Sequence, residues 1–243
     1  MSSKNQPFFI LFQDAFLLVV DKPSGISVIP ERVETDKGNL KSSLEKSLGI
    51  ELWTVHRIDR DTSGLVLFAK SAEAHKAMND LFENRKIEKH YWALVSGKME
   101  GKSGEIDSPI AHHPAKNGKM IIHPKGKEAL TLFDVVEQFK HTTLLNVEIK
   151  TGRTHQIRVH FSETGYPLLV DPIYGSAKGF QLSSVKKKYK QTDEEERPIL
   201  NRLPLHAYSL KFEHPFTKKE IAVESPMPKD IETCLKLLRK YDS

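Results

Sequence analysis

Cysteine is almost absent: the 243 residues hold one, Cys234. A lone cysteine excludes an intrachain disulfide and any zinc site built on paired thiolates, and it suits a reducing compartment. Its position in an expected terminal helix reads as a packed thiol rather than a nucleophile. Long hydrophobic runs are missing too, since no stretch stays apolar for the roughly 20 residues that a membrane span needs. Met1 to Pro7 is short and polar, without the apolar centre of a secretory signal. No nucleotide-binding motif, internal repeat or low-complexity tract appears. These absences lead us to expect a cytoplasmic protein with no membrane association, disulfide, metal or cofactor. The lack of any dimerisation stripe adds the expectation of a monomer.

What is present is ordinary in bulk. Hydrophobic residues make up 38% and charged residues 28%, values of a folded globular chain rather than a disordered one. The formal net charge of +5 favours polyanionic partners such as RNA. The length suffices for a sizeable core.

Phe8 to Gln13 and Phe16 to Asp21 read as short strands rich in Ile, Leu, Val and Phe, parted by Asp14-Ala15 and followed by the turn Lys22-Pro23-Ser24-Gly25. Arg32 to Lys41 reads as a polar loop. Leu40 to Leu48 forms an amphipathic pattern closed by Gly49, and Ser71 can cap a helix reaching about Arg85. Lys89 to Gly97 alternates as a half-buried strand, with Tyr91, Ala93 and Val95 on one side. Further strands are expected over Gly104 to Ile110, Lys119 to His123, Ala129 to Val136, Thr142 to Lys150, Leu205 to Phe212 and Glu220 to Val223. Gly152 to Phe161 opens a helix with Thr154 near its cap and Gly165 past its end. Residues 176–200, where Lys186, Lys187, Lys188 and Lys190 precede Asp193 to Glu196, read as a charged surface insertion. A terminal helix covers about 230–240. The sum is an α+β fold, a mixed, mostly antiparallel sheet with flanking helices. We expect one domain over residues 1–243, with a core of about 8–228 and two lobes at most.

Chemistry concentrates in Val55-His56-Arg57-Ile58-Asp59-Arg60-Asp61-Thr62-Ser63-Gly64, just before the apolar run Leu65 to Ala69. The turn residues place Asp59 and Asp61, with Arg57 and Arg60, in a loop entering a buried strand. A carboxylate beside guanidinium groups keeps its charge, and so can act as a nucleophile or stabilise a cationic sugar. A surface ion-pair cluster capping the strand is the plainer reading of the same residues. A second constellation is Arg153, His155, Gln156, Arg158 and His160. His155 and His160 stand five apart, a poor spacing for zinc. Basic groups at a helix start suit an anion instead. A purely basic surface helix would not need Ile157, Val159 and Phe161.

The order of these residues resembles the RluA family of pseudouridine synthases. His56-Arg57-Ile58-Asp59-x-x-Thr62-Ser63-Gly64 is similar to that family's catalytic-aspartate signature. Lys89-x-Tyr91-x-Ala93-x-Val95-x-Gly97 resembles its tyrosine motif, and Thr151 to His160 its third motif. Asp21 to Gly25, Asp171-Pro172-x-Tyr174-Gly175 and Leu205-His206-Ala207-x-x-Leu210-x-Phe212-x-His214-Pro215 match in the same order, over about residues 8–228. Val170 departs from the glycine common before the aspartate.

The resemblance implies isomerisation of uridine to pseudouridine in ribosomal or transfer RNA, with Asp59, Tyr91 and Arg158 in the catalytic roles. Arg158 would pair with Asp59, and Tyr91 would lie against the flipped base. Arg57, Arg60, Arg153 and Lys22 would contact RNA, while Asp61 would be structural or solvent-facing. Three routes stay open to Asp59: attack on the sugar, addition to the uracil ring, or promoting loss of a ribose proton. The chain starts almost at its first strand, so substrate selection is expected to rest on the catalytic domain. The alternatives are a noncatalytic RNA-binding protein on the same scaffold and a two-carboxylate glycosidase using Asp59 and Asp61. Carboxylates two residues apart on a turn rarely face one substrate together, which weighs against the glycosidase.

Overall fold

The computed structural model describes residues 8–30, 38–176, 178–186, 189 and 196–242. In chain order the elements are β1 (Phe9–Gln13), β2 (Leu17–Lys22), α1 (Leu40–Leu48), β3 (Trp53–Thr54), β4 (Ser63–Ala69), α2 (Ala72–Glu83) and β5 (Glu88–Ser96). Then come β6 (Ser103–Asp107), β7 (Ile110–His112), β8 (Met120–Ile122), β9 (Leu130–Gln138), β10 (Thr142–Ile149), α3 (Gln156–Glu163), β11 (Leu205–Glu213), β12 (Glu220–Glu224) and α4 (Lys229–Tyr241). The fold is α+β and built largely of antiparallel sheet. It divides into two compact units, residues 1–90 with 207–226, and residues 91–206 with 227–243.

In the first unit β2 lies between β1 and β4, antiparallel to both, β3 pairs with β4, and β12 pairs with β11. Every residue of β4 is buried, which is why its sequence is a continuous apolar run rather than an alternation. Leu17, Val19, Leu65, Leu67, Ala74 and Met78 form the core there. The helices obey their local signals. Asn39 caps α1 by accepting the Ser42 N–H at 3.0 Å, Gly49 ends it at φ 68°, and Ser71 caps α2 by accepting the Ala74 N–H.

In the second unit β9 pairs antiparallel with both β10 and β6. The strand expected over Gly104 to Ile110 is two strands. β7 leaves β6 behind and pairs with β8 in a separate two-stranded sheet. Pro109 supplies the reason, since it has no N–H for a ladder and marks the break. Ile231, Cys234, Leu235 and Leu238 give α4 one buried face. Burial, helped by Asp230, pushes the Cys234 thiol up to about 12, so it is a packed and inert group.

One further expectation needs correction. Residues 176–200 are not wholly a surface insertion, because Phe180, Val185 and Leu200 are buried in the core beside α4. Charge runs mask such isolated apolar anchors. Most of that charged run, from Lys187 to Glu195, lies outside the described residues, as does the bulk of the polar loop expected after Arg32. The third-motif helix, expected with Thr154 near its cap, starts at Gln156; the cap is the next residue, His155, at φ 55°, in the left-handed region and without a side-chain cap.

Candidate active site

The Asp59 loop is a β-turn closed by the Asp59 carbonyl, which accepts the Thr62 N–H at 3.2 Å, with Arg60 and Asp61 at its corners. The turn is templated by the segment after β2. The Arg60 carbonyl accepts the Gly25 N–H at 2.9 Å, Arg60 Nε donates to the Gly25 carbonyl at 3.2 Å, and Ser24 Oγ donates to the Asp61 carbonyl at 2.6 Å. Asp59, Arg60 and Asp61 are half-buried, and Arg57 is exposed.

Lys22 has a different task from the RNA contact expected of it. Its side chain is 0% exposed, and Nζ donates to the carbonyls of Pro23, Ile26 and Arg60 at 2.9, 2.8 and 2.9 Å. An ammonium has three N–H donors, and three carbonyls receive them. A cation buried this way ties two loops together and offers nothing to a phosphate. Lys22→Met leaves those carbonyls without their donor, and we expect it to destabilise the fold by about 3 kcal/mol. Urea unfolding checks this, and a change below about 1 kcal/mol would return Lys22 to the surface contacts.

His56 holds the entry to the loop. Its Nε2 accepts the Leu67 N–H at 3.1 Å and its ring stacks on Phe82 at 5.1 Å. Nε2 as acceptor makes the neutral ring the Nδ1–H tautomer. Desolvation first, and the nearby Lys89 charge second, push His56 down to about 3. The unfolded chain takes up this proton near pH 6.5, whereas the folded chain resists it. This part of the stability is therefore complete above about pH 6.5 and is lost as pH falls toward 3. At pH 5 the imidazole nitrogen shifts should still be those of the neutral Nδ1–H form, and titration of the folded protein near 6.5 would contradict the assignment.

Tyr91 lies on β5 and is 7% exposed, on the face that also buries Lys89, Ala93 and Val95. In the second unit, α3 buries every residue from Gln156 to Phe161, so the reading as a basic surface helix fails. Gln156 sets its entry: Oε1 accepts from Thr151 Oγ1 and the Arg153 N–H, and Nε2 donates to the Leu130 carbonyl and Thr131 Oγ1. Arg153 is half-buried, with Nε donating to the Glu128 carbonyl at 2.8 Å. His160 is a core residue: Nε2 donates to the Ser108 carbonyl and Nδ1 accepts from Thr131 Oγ1, both at 2.9 Å. Burial lowers its basicity against the pull of the Ser108 carbonyl and the Asp107 charge.

Arg158 is 2% exposed and grips Asp171, itself 1% exposed, through two hydrogen bonds of 2.8 Å, Nε to Oδ2 and Nη2 to Oδ1. Asp171 Oδ1 also accepts the N–H groups of Ile173 and Tyr174. Burial raises the Asp171 carboxyl, but the Arg158 fork and those two N–H groups outweigh it and hold the carboxyl below its ordinary range. Asp171 was visible only as part of a motif, and nothing in its spacing announced which arginine it would meet. Among the described residues no group of three or more His, Cys, Asp or Glu side chains gathers to hold a metal ion. No helix among them is long and apolar enough to cross a membrane.

Residues 16–163 match the family model described as RNA pseudouridylate synthase. The chain is 36% identical over 249 residues to the ribosomal large subunit pseudouridine synthase D of Nitrosomonas europaea, covering 96% of this chain and 66% of that protein. It is 37% identical to the Pseudomonas aeruginosa protein of the same name, covering 95% and 72%. The chain thus spans about two thirds to three quarters of the length of these relatives. The solved structure of human RNA pseudouridylate synthase domain containing 4 superposes with a TM-score of 0.73 at 26% identity, over 95% of this chain and 92% of that one.

Proposed function

Because the chain belongs to the RNA pseudouridylate synthase family, we propose that it isomerises uridine to pseudouridine in ribosomal RNA, with Asp59 as the reacting carboxylate. In this reaction the bond from ribose C1′ to uracil N1 breaks, the base turns, and C1′ joins uracil C5. The hydrogen on C5 leaves as a proton and N1 gains one, so the reaction is balanced without an oxidant or an energy source. Chemistry on a base requires drawing it out of its stack.

The observation that carries the reading is the turn at Asp59, held by Lys22, Ser24 and Gly25 so that its backbone has little freedom. A preorganised carboxylate loses little entropy on meeting its substrate. Tyr91 is assigned to the flipped base, and Arg158 the role of a fixed guanidinium in the reaction, held by the Asp171 carboxylate. Arg57, Arg60 and Arg153 are assigned to the RNA backbone, a role that fits the exposure of Arg57 best. The names of the two relatives favour ribosomal over transfer RNA as substrate. The same reading makes the protein a cytoplasmic monomer that works without a cofactor.

The test uses ribosomal and transfer RNA transcripts tritiated at uracil C5. Joining C5 to the sugar expels the label into water, and release from large-subunit ribosomal RNA is expected. Bound RNA with no release from any transcript would replace the enzyme by a noncatalytic RNA-binding protein.

A further inference from the structure

We propose that Asp171 and Tyr174 are positioning residues for this reaction, a carboxylate fork and an aromatic face that together fix the plane of the Arg158 guanidinium. The inference rests on the proposed function, since it gives Arg158 a reason to be held so closely. The Asp171 carboxylate takes Nε and Nη2 side by side, which sets the guanidinium edge. The Tyr174 ring lies 5.2 Å from the guanidinium carbon, within cation–π range.

Tyr174 is itself pinned from several sides. Its N–H donates to Asp171 Oδ1 at 3.1 Å, its hydroxyl accepts the Met120 N–H of β8 at 2.8 Å, and the hydroxyl lies 2.9 Å from His155 Nδ1. The His155 ring meets the Tyr174 ring edge-on at 5.5 Å. His155 is one of three non-glycine residues with positive φ among the described residues, at the start of the helix that carries Arg158. A strained residue is retained where surrounding contacts determine it, and here they lead to Tyr174. A pair needed for stability alone has no use for this arrangement, because buried ion pairs are seldom better than apolar residues of the same volume. An arginine that must present a fixed edge does need it.

Single-turnover tritium release at saturating enzyme, RNA affinity and thermal unfolding are compared for wild type, Asp171→Asn, Arg158→Lys, the double variant, Tyr174→Phe and Tyr174→Leu. Misplacement of a reacting assembly by about 1 Å costs about 100-fold in rate, and that is the loss expected for Asp171→Asn, with affinity within about twofold of wild type. Asp171 acting through Arg158 makes the double variant no slower than the slower single one, whereas independent losses multiply; a merely structural pair would lower thermal stability and RNA affinity along with the rate. Tyr174→Phe keeps the ring and should lose about threefold; Tyr174→Leu loses the face as well and should fall by about tenfold or more. If Asp171→Asn fails to fold, the two Tyr174 variants decide. Multiplying losses, or Tyr174→Leu turning over at the wild-type rate, would overturn the inference while leaving the enzyme in place. Wild type that releases no tritium from any RNA removes the proposed function and this inference with it.

Discussion

Asp59→Asn should fold, bind RNA and fail to turn over. The loss expected is about 10^4-fold or more, the scale seen when a reacting group is removed from an active site while binding survives. The argument for intact folding is local. The turn is held through main-chain groups, the Asp59 and Arg60 carbonyls and the Thr62 and Gly25 N–H groups, all of which asparagine leaves in place. Asparagine also suits the first position of such a turn as well as aspartate does. Tritium release from uracil C5 in single turnover, beside filter binding of the same RNA, separates the two properties. Release near the wild-type rate removes Asp59 from the reaction and turns attention to Asp61, the other carboxylate of the loop.

Gly64→Ala is expected to be the most damaging single substitution to stability. Gly64 stands at φ 111°, a conformation that side chains rarely adopt, and a Cβ placed there would lie 2.1 Å from the Ala207 carbonyl oxygen and 2.7 Å from Ala207 N. Both obstacles are backbone of β11, so no rotamer change relieves them. Only a shift of strands does, and Gly64 is in register with Lys22, whose ammonium holds the Asp59 loop. The clash thus travels directly into the candidate site. Strained backbone and forced displacement together place the cost at about 4 kcal/mol or more. Urea unfolding measures it, and a cost under about 1 kcal/mol would mean that the strands separate more readily than their packing implies.

The elements that were legible in advance are those whose causes are local. The caps at Asn39 and Ser71 and the stop at Gly49 act within a turn of the residues they govern, so α1 and α2 appear where periodicity and capping put them. The buried strand β4 follows from its unbroken apolar run. The start of α3 is legible to within one residue of Thr154. What spacing does not show is the left-handed turn at His155, whose ring meets the distant Tyr174 hydroxyl. Residues 176–200 read as surface because charge dominates their composition, while three separated apolar side chains settle where part of the segment packs.

By itself, the sequence determined the fold class, the family and the chemical cast: a turn carrying two carboxylates, a buried tyrosine strand and an arginine on a packed helix. These depend on residue order and on neighbours a few positions away. Only the tertiary structure decided which charges are working parts of the scaffold. Lys22 serves the Arg60 carbonyl, 38 residues on, and Arg158 serves Asp171, 13 residues on. His56 stays neutral because burial strips it of water and the Lys89 charge opposes a second cation beside it. A lysine reads the same in sequence whether it faces phosphate or three carbonyls. The difference lies in desolvation and in which acceptors the fold delivers, and both are properties of distant segments brought together.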